Sequence, residues 1–153
     1  MKILIMSNGL NMNSGFSEVA KNLCLGLKRL GHNISFISMQ GSYIQQWCYG
    51  IEMIPLNTYS VDELTQYIIM LQTIQPDICI HIFQSDAGDL VQFPLAFKKT
   101  IWHSVVEGDI LPYTSRNGYK KVIENGGRIV LPSKHGQRQC QLDGIDVDMI
   151  SYG

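Results

Sequence analysis

The chain has 153 residues, 45% of them apolar and 16% charged, which is enough for a substantial core and too apolar for a disordered polypeptide. Twelve Lys and Arg stand against thirteen Asp and Glu for a formal net charge of -1. With the cations scattered along the chain, a nucleic-acid footprint is excluded, while a phosphate-bearing small molecule is not. Cys24, Cys48, Cys79 and Cys140 lie far apart without a CxxC pair, a pattern of reduced thiols in a cytoplasmic protein. The opening run "ILIM" is too short for a secretory or spanning segment, and no later run reaches the roughly 18 apolar residues a spanning helix needs.

In chain order, "KILIMS" (2–7) is predicted as a strand bounded by turn residues. A loop with Gly9 and Gly15 follows. Phe16, Val19, Ala20, Leu23, Leu27 and Leu30 then recur at three- and four-residue steps, the single apolar stripe of a helix lying on a sheet. Its ends agree: Asn13 or Ser14 can cap it, Glu18 sits in the first turn, Lys28 and Arg29 complement the carbonyl end, and Gly31 offers a left-handed exit. "NISFISM" (33–39) is the second strand. Residues 40–57 are unassigned apart from "IEMIP", read as a short strand.

A second helix is predicted from Ser60 to Gln75, with Ser60 and Glu63 at capping-box spacing. Its stripe is Leu64, Tyr67, Ile68 and Leu71, and Pro76 ends it. "DICIHIF" (77–83) is a strand, 84–98 holds Pro94 inside an otherwise helical pattern, and "TIWHSVV" (100–106) is a strand. A helix near 115–125 closes at Gly126-Gly127, "RIVLP" (128–132) is a strand, and a helix near 134–142 starts at Ser133. Strands that are apolar almost throughout, separated by helices, imply βαβ units and an α/β fold of three layers around a mainly parallel sheet. With no repeat, low-complexity tract or linker, residues 1–153 read as one compact domain.

In such a sheet the ligand crevice lies beyond the carboxyl ends of the strands, where helix N-termini present unpaired N–H groups. The loop with Gly9 and Gly15 sits there and could bring its amides to a phosphate or to sugar hydroxyls. It is not an ATP-type P-loop, because GxxxxGK[ST] is absent. Nor is it the dinucleotide fingerprint: the glycines lack GxGxxG spacing, and the second strand ends in Met39-Gln40 rather than an acid for a ribose. The same glycines could serve only a tight turn.

The segments "NSGFSEVAKNLCLGLKRLGHNISFIS", "QPDICIHIF", "TIWHSVVEGDILP" and "IVLPSKHGQRQCQLDGIDVDMISYG", taken in order, resemble the amino-terminal half of a GT-B glycosyltransferase, most similar to the retaining enzymes of family 4. The resemblance runs almost end to end. It implies a Rossmann-like acceptor-side domain, with "ISYG" resembling the hinge into a donor-binding domain that this chain does not include. The donor substrate implied is a nucleotide-diphosphate sugar, with no tightly bound cofactor and no metal. The implied partners are that second domain and a sugar acceptor, with peripheral contact at the inner face of a membrane left open.

The resemblance also implies site residues. His103 matches the family's histidine near the reacting carbon and is the expected catalytic group. A neutral imidazole can donate a hydrogen bond there without a permanent charge. Ser14, Gly15, Phe16 and Ser17 match the loop set against acceptor and diphosphate, although Glu18 would oppose a diphosphate unless turned away, and Phe16 also fits the helix stripe. Gln84, Ser85 and Asp86 after one strand, and Glu107 and Asp109 after His103, are candidate contacts for a hydroxyl-rich acceptor. Ser133 matches a family serine that could equally cap a helix, with Lys134 and His135 beside it.

Cys79 and His81 alternate onto one strand face without further metal ligands nearby in sequence. His32 belongs to the Gly-His turn, Cys24 to the first helix, and Trp47 and Trp102 are expected to pack in the core. The function expected is transfer of a sugar to an acceptor hydroxyl with retention, the isolated chain being inactive. A sugar-nucleotide 2-epimerase, or a stand-alone glycan- or nucleotide-binding module, are the alternatives.

Overall fold

A computed structural model describes residues 1–39, 45–56, 63–83, 92–105 and 113–151. The chain divides into two compact units, Met1–Ile82 and Phe83–Gly153. In the first, β1 (Lys2–Ser7), α1 (Gly15–Arg29), β2 (Asn33–Ser38), β3 (Gln46–Cys48), β4 (Ile51–Pro55), α2 (Glu63–Ile74) and β5 (Ile78–Ile82) follow in order. Here the strands lie side by side as β3-β4-β2-β1-β5. All pairings are parallel except the β3–β4 hairpin, with Ile3 opposite Ile34 on one side and Ile78 on the other. Residues 3–7 of β1 are wholly buried, as a strand covered on both faces must be.

The second unit contains α3 (Gln92–Leu95), β6 (Thr100–His103), α4 (Tyr113–Glu124), β7 (Arg128–Leu131), α5 (Lys134–Leu142) and β8 (Asp148–Met149). Its three strands pair in parallel, with His103 opposite Val130 and Leu131 opposite Met149. Trp102 on β6 meets the Tyr119 ring of α4 edge to face, centroids 4.9 Å apart, and also packs near Phe83. Among the described residues no helix is long and apolar enough to cross a membrane.

The predicted strands and helices recur with trimmed ends, and several expectations need correction. Ser60 and most of 84–98 fall outside the described residues, whereas Pro94 is a buried member of the short α3. Two elements were not read from the sequence, β3 and β8, with three and two residues respectively. Leu30 was placed in the buried stripe but is 74% exposed, because α1 ends at Arg29 and the next residue turns outward. Ile68 also lies outward, and Tyr67 and Leu71 carry the buried face of α2. Trp47 is not a core residue at all: it is 71% exposed, while Trp102 is buried as expected.

Helix ends are set locally. After α1, Gly31 N–H bonds the Lys28 carbonyl and His32 N–H the Leu27 carbonyl, with Gly31 left-handed at φ 82°. The same paired bonds close α4 at Gly126-Gly127 and α5 at Gly144-Ile145, satisfying carbonyls that a helix end would otherwise strand. At the end of α2 this is impossible, since Pro76 has no N–H. Instead Gln75, at φ 50°, makes one bond to the Leu71 carbonyl.

Behind β5, Tyr67 Oη lies 2.8 Å from His81 Nε2 and also contacts the Cys79 thiol. Cys79 and His81 thus share a face as read from the sequence, but that face looks into the core against α2. Burial pushes the Cys79 thiol up to about 12 and the His81 imidazolium down to about 3.

Two predictions follow from this packing. A methyl at Gly127 would lie 2.7 Å from Val122 Cγ1, 3.0 Å from the Val122 carbonyl and 3.2 Å from the Thr100 carbonyl. Backbone cannot yield as a flexible side chain does, so Gly127→Ala should lower unfolding free energy by about 1–3 kcal/mol in urea titrations. His81 titrates near its ordinary 6.5 when unfolded and only near 3 when folded. Its neutral form is therefore compatible with full stability above about 6.5, and stability falls as pH drops from there toward 3, by up to about 1.4 kcal/mol per unit. His81→Gln should flatten that part of the pH–stability profile relative to wild type.

Candidate functional site

In the amino-terminal unit, the carboxyl ends of β1, β2 and β5 carry Ser7, Ser38 and Ile82. Ser7 Oγ donates to the Ile82 carbonyl at 2.9 Å, and the Met39 N–H bonds the Ser7 carbonyl at 2.9 Å, so the ladder continues to the edge. From Ser7 the chain turns through a Met12-to-Gly9 backbone bond, with Leu10 buried against Met53. It enters α1 at Ser14, whose extended backbone lets Oγ accept the Ser17 N–H at 3.1 Å. The two hydroxyls, Ser14 Oγ and Ser17 Oγ, are 2.7 Å apart.

Capping takes the Ser17 amide, and the first turn geometry directs the Gly15 and Phe16 amides outward along the helix axis. Gly15 is exposed, Phe16 half-buried and Ser17 buried. The left-handed glycines of the described chain are Gly31, Gly50, Gly126 and Gly144, and a methyl built on Gly15 meets nothing within 4 Å. The expectation that Gly15 serves a sharp turn therefore fails: it is an ordinary first helical residue, and neither backbone nor neighbours call for glycine.

Glu18 does not point its charge at this terminus. Its carboxylate accepts from the Lys21 ammonium and, at 3.0 Å, from the Asn22 amide, one turn further along, and these bonds hold its pKa below the usual range. The repulsion anticipated for an anion at the start of α1 is thereby reduced, because the negative charge is paired and displaced down the helix.

In the carboxy-terminal unit, His103 is the last residue of β6 and half-buried. Its carbonyl accepts the Phe83 N–H at 3.3 Å. Burial pushes the imidazolium below its ordinary value, so the ring is neutral at pH 7. Ser104, which sequence reasoning passed over, is fully buried immediately beyond it, and its N–H continues the ladder to the Val130 carbonyl at 3.0 Å. Among the described residues its Oγ has no hydrogen-bond partner, nor have Thr100 Oγ1 and Trp102 Nε1 on the same strand face. A serine beside a strand end carries no sequence signal that separates it from any loop residue.

On the neighbouring strand, Ser133 caps α5 as Ser14 caps α1, accepting the Gly136 N–H at 3.1 Å. The cap uses the oxygen as acceptor and leaves the hydroxyl proton to donate elsewhere. Lys134 and His135 are exposed on the first turn. β6 and β7 are adjacent and parallel, so His103, Ser104 and Ser133 lie at the same carboxyl edge of this unit. A groove of about 280 Å³ in the same unit, lined by Gly127, Arg128, Asp146 and Asp148, lies at the amino ends of β7 and β8, away from these side chains. Gln84, Ser85, Asp86, Glu107 and Asp109 lie outside the described residues.

Among the described residues, no group of three or more His, Cys, Asp or Glu side chains converges as a metal site would require. No family model matches the sequence, and no curated protein matches it. The fold does match a solved structure of UDP-GlcNAc 2-epimerase from Methanocaldococcus jannaschii, with a TM-score of 0.63 at 11% sequence identity. The match covers 100% of this chain and 45% of that one. At that identity the likeness speaks for architecture alone: the chain has a Rossmann-like α/β fold of the GT-B-like kind.

Proposed function

We propose that this chain is the acceptor-side half of a GT-B-like enzyme acting on a nucleotide-diphosphate sugar, with the donor-binding domain supplied by polypeptide outside it. The observation that carries this reading is Gly15, a glycine at a helix N-terminus on the carboxyl edge that its own backbone does not need. Absence of a side chain there matters to something that approaches from outside, and exposed amides at a helix start suit a diphosphate or sugar hydroxyls. In this reading Ser14, Gly15, Phe16 and Ser17 of the first unit hold substrate, as do Ser133 and Lys134 of the second. His103, kept neutral by burial, donates or accepts a hydrogen bond near the anomeric centre without adding a fixed charge.

Two reactions fit. Transfer of the sugar to an acceptor hydroxyl with retention is the one that the sequence resemblance favours. Epimerisation at C2 of the sugar is the one that the structural neighbour favours, since that protein is a UDP-GlcNAc 2-epimerase. The second needs no acceptor.

The protein should be assayed together with its donor-side domain, with UDP-GlcNAc and other nucleotide sugars, in the presence and absence of acceptors. Product that forms without acceptor and keeps its nucleotide supports epimerisation; consumption that depends on acceptor supports transfer. In either case Gly15→Ala should weaken substrate binding about tenfold, equivalent to 1.4 kcal/mol. It should leave thermal stability unchanged or raise it by up to about 1 kcal/mol. His103→Ala should lower turnover by about tenfold to a thousandfold. Wild-type turnover in the histidine variant, together with wild-type affinity in the glycine variant, would dispose of the reading.

A further inference from the structure

Helix α4 changes character halfway along. Its carboxy-terminal part is well seated: Tyr119 and Val122 are buried, and the Tyr119 ring meets Trp102 edge to face. Just beyond it, Asn125 Nδ2 donates to the Leu95 carbonyl at 3.2 Å, and paired backbone bonds close the end at Gly126-Gly127. Ahead of Tyr119 the buried residues described are Ser115 and Gly118, neither of which has an apolar side chain. Ser115, Asn117 and Gly118 are also poor helix formers, and a helix of three turns keeps its shape mainly through the apolar face it buries.

The strand beneath offers this part little. A methyl on Gly127 would touch both Val122 and the Thr100 carbonyl, and Tyr119 meets Trp102, so α4 runs back along β6. Ser115, one turn before Tyr119, therefore comes level with Ser104. Two serines are buried where aliphatic side chains would hold a helix down, and Ser104 Oγ has no hydrogen-bond partner among the described residues. Arg116 supplies the fastening: its guanidinium lies 3.1 Å from the carboxylate of Asp143, the residue that ends α5, with both side chains partly open to water.

We propose that the part of α4 ahead of Tyr119 is a latched gate. It opens about Gly118 while the rest of the helix stays seated, the Arg116–Asp143 pair is the latch, and opening uncovers Ser104 beside His103 at the carboxyl edge of β6. Segments that bury little apolar surface open locally without global unfolding, and a mid-helix glycine gives the backbone freedom to bend. A ligand held beside His103 would meet the gate in one of two positions and so bias it. The gate follows from packing within this unit and does not rest on the sugar-nucleotide reading.

Ser104→Cys, close in size to the native residue, makes opening measurable as alkylation of a buried thiol. Cys140 of α5, also 0% exposed and in the same unit, reports larger openings of the same molecule. Cys48→Ser removes the partly exposed thiol of β3 from the background. With labelled peptides followed by mass spectrometry, the introduced thiol should react at least about tenfold faster than Cys140. Arg116→Gln should speed it about two- to fivefold, and Asn117→Ala should slow it about threefold, both leaving Cys140 unchanged. An introduced thiol no faster than Cys140, or a rate that neither variant moves, overturns the proposal. Should Ser104→Cys fail to fold, amide exchange on the otherwise native chain decides: the amides of residues 117–120 should exchange faster in Arg116→Gln than in wild type, with those of residues 123–125 unaltered. Equal change along the whole helix, or none, overturns the gate.

Discussion

The constraint on which the first unit depends is the burial of β1 between two parallel neighbours. A strand hydrogen-bonded on both edges and covered on both faces can be reached again only by crossover connections, and these carry α1 and α2 back to the amino edge of the sheet. Right-handed crossovers that run in opposite directions from the centre put those two helices on opposite faces. Helix starts then gather at the carboxyl edge whatever their sequence. The position of Ser14 at that edge is thus a by-product of packing at Ile3 to Ser7.

This explains why the central parts of both units could be read in advance. "KILIMS", "NISFIS" and "ICIHI" are apolar on both faces, and only a doubly covered strand needs that. The stop signals of α1 and α4 are equally legible, because a left-handed glycine and two backbone bonds are local events; Gly144 ends α5 in the same way and was not read. β3 and β8 were not legible: two or three residues give no periodicity, and Trp47 has the composition of a core residue with the position of an edge one.

The candidate site was legible in part, for a related reason. Ser14 and Ser133 declare themselves as caps through their neighbours in sequence, and both cap. Gly15 was read as a glycine that lets a ligand approach, with a plain tight turn as the alternative; only the open space above it and its ordinary backbone separate the two cases. Ser104 is distinguished by burial without a partner among the described residues, a property of three dimensions alone. His103 and Glu18 stand between these extremes: a neutral ring and a carboxylate turned away were raised as conditions from the sequence, and only burial and the bond to Asn22 show that they are met.

The spacing of β1's partners has a consequence for how this polypeptide emerges during synthesis. β2 follows after one helix, but β5 lies 75 positions along the chain, the separation also spanned by the Ser7-to-Ile82 bond. On the ribosome, one flank of β1 stays open until that distant segment has left the exit tunnel. Loop closure over so long a span is slow. β1 therefore gains its second hydrogen-bonded edge only once Ile78–Ile82 arrives.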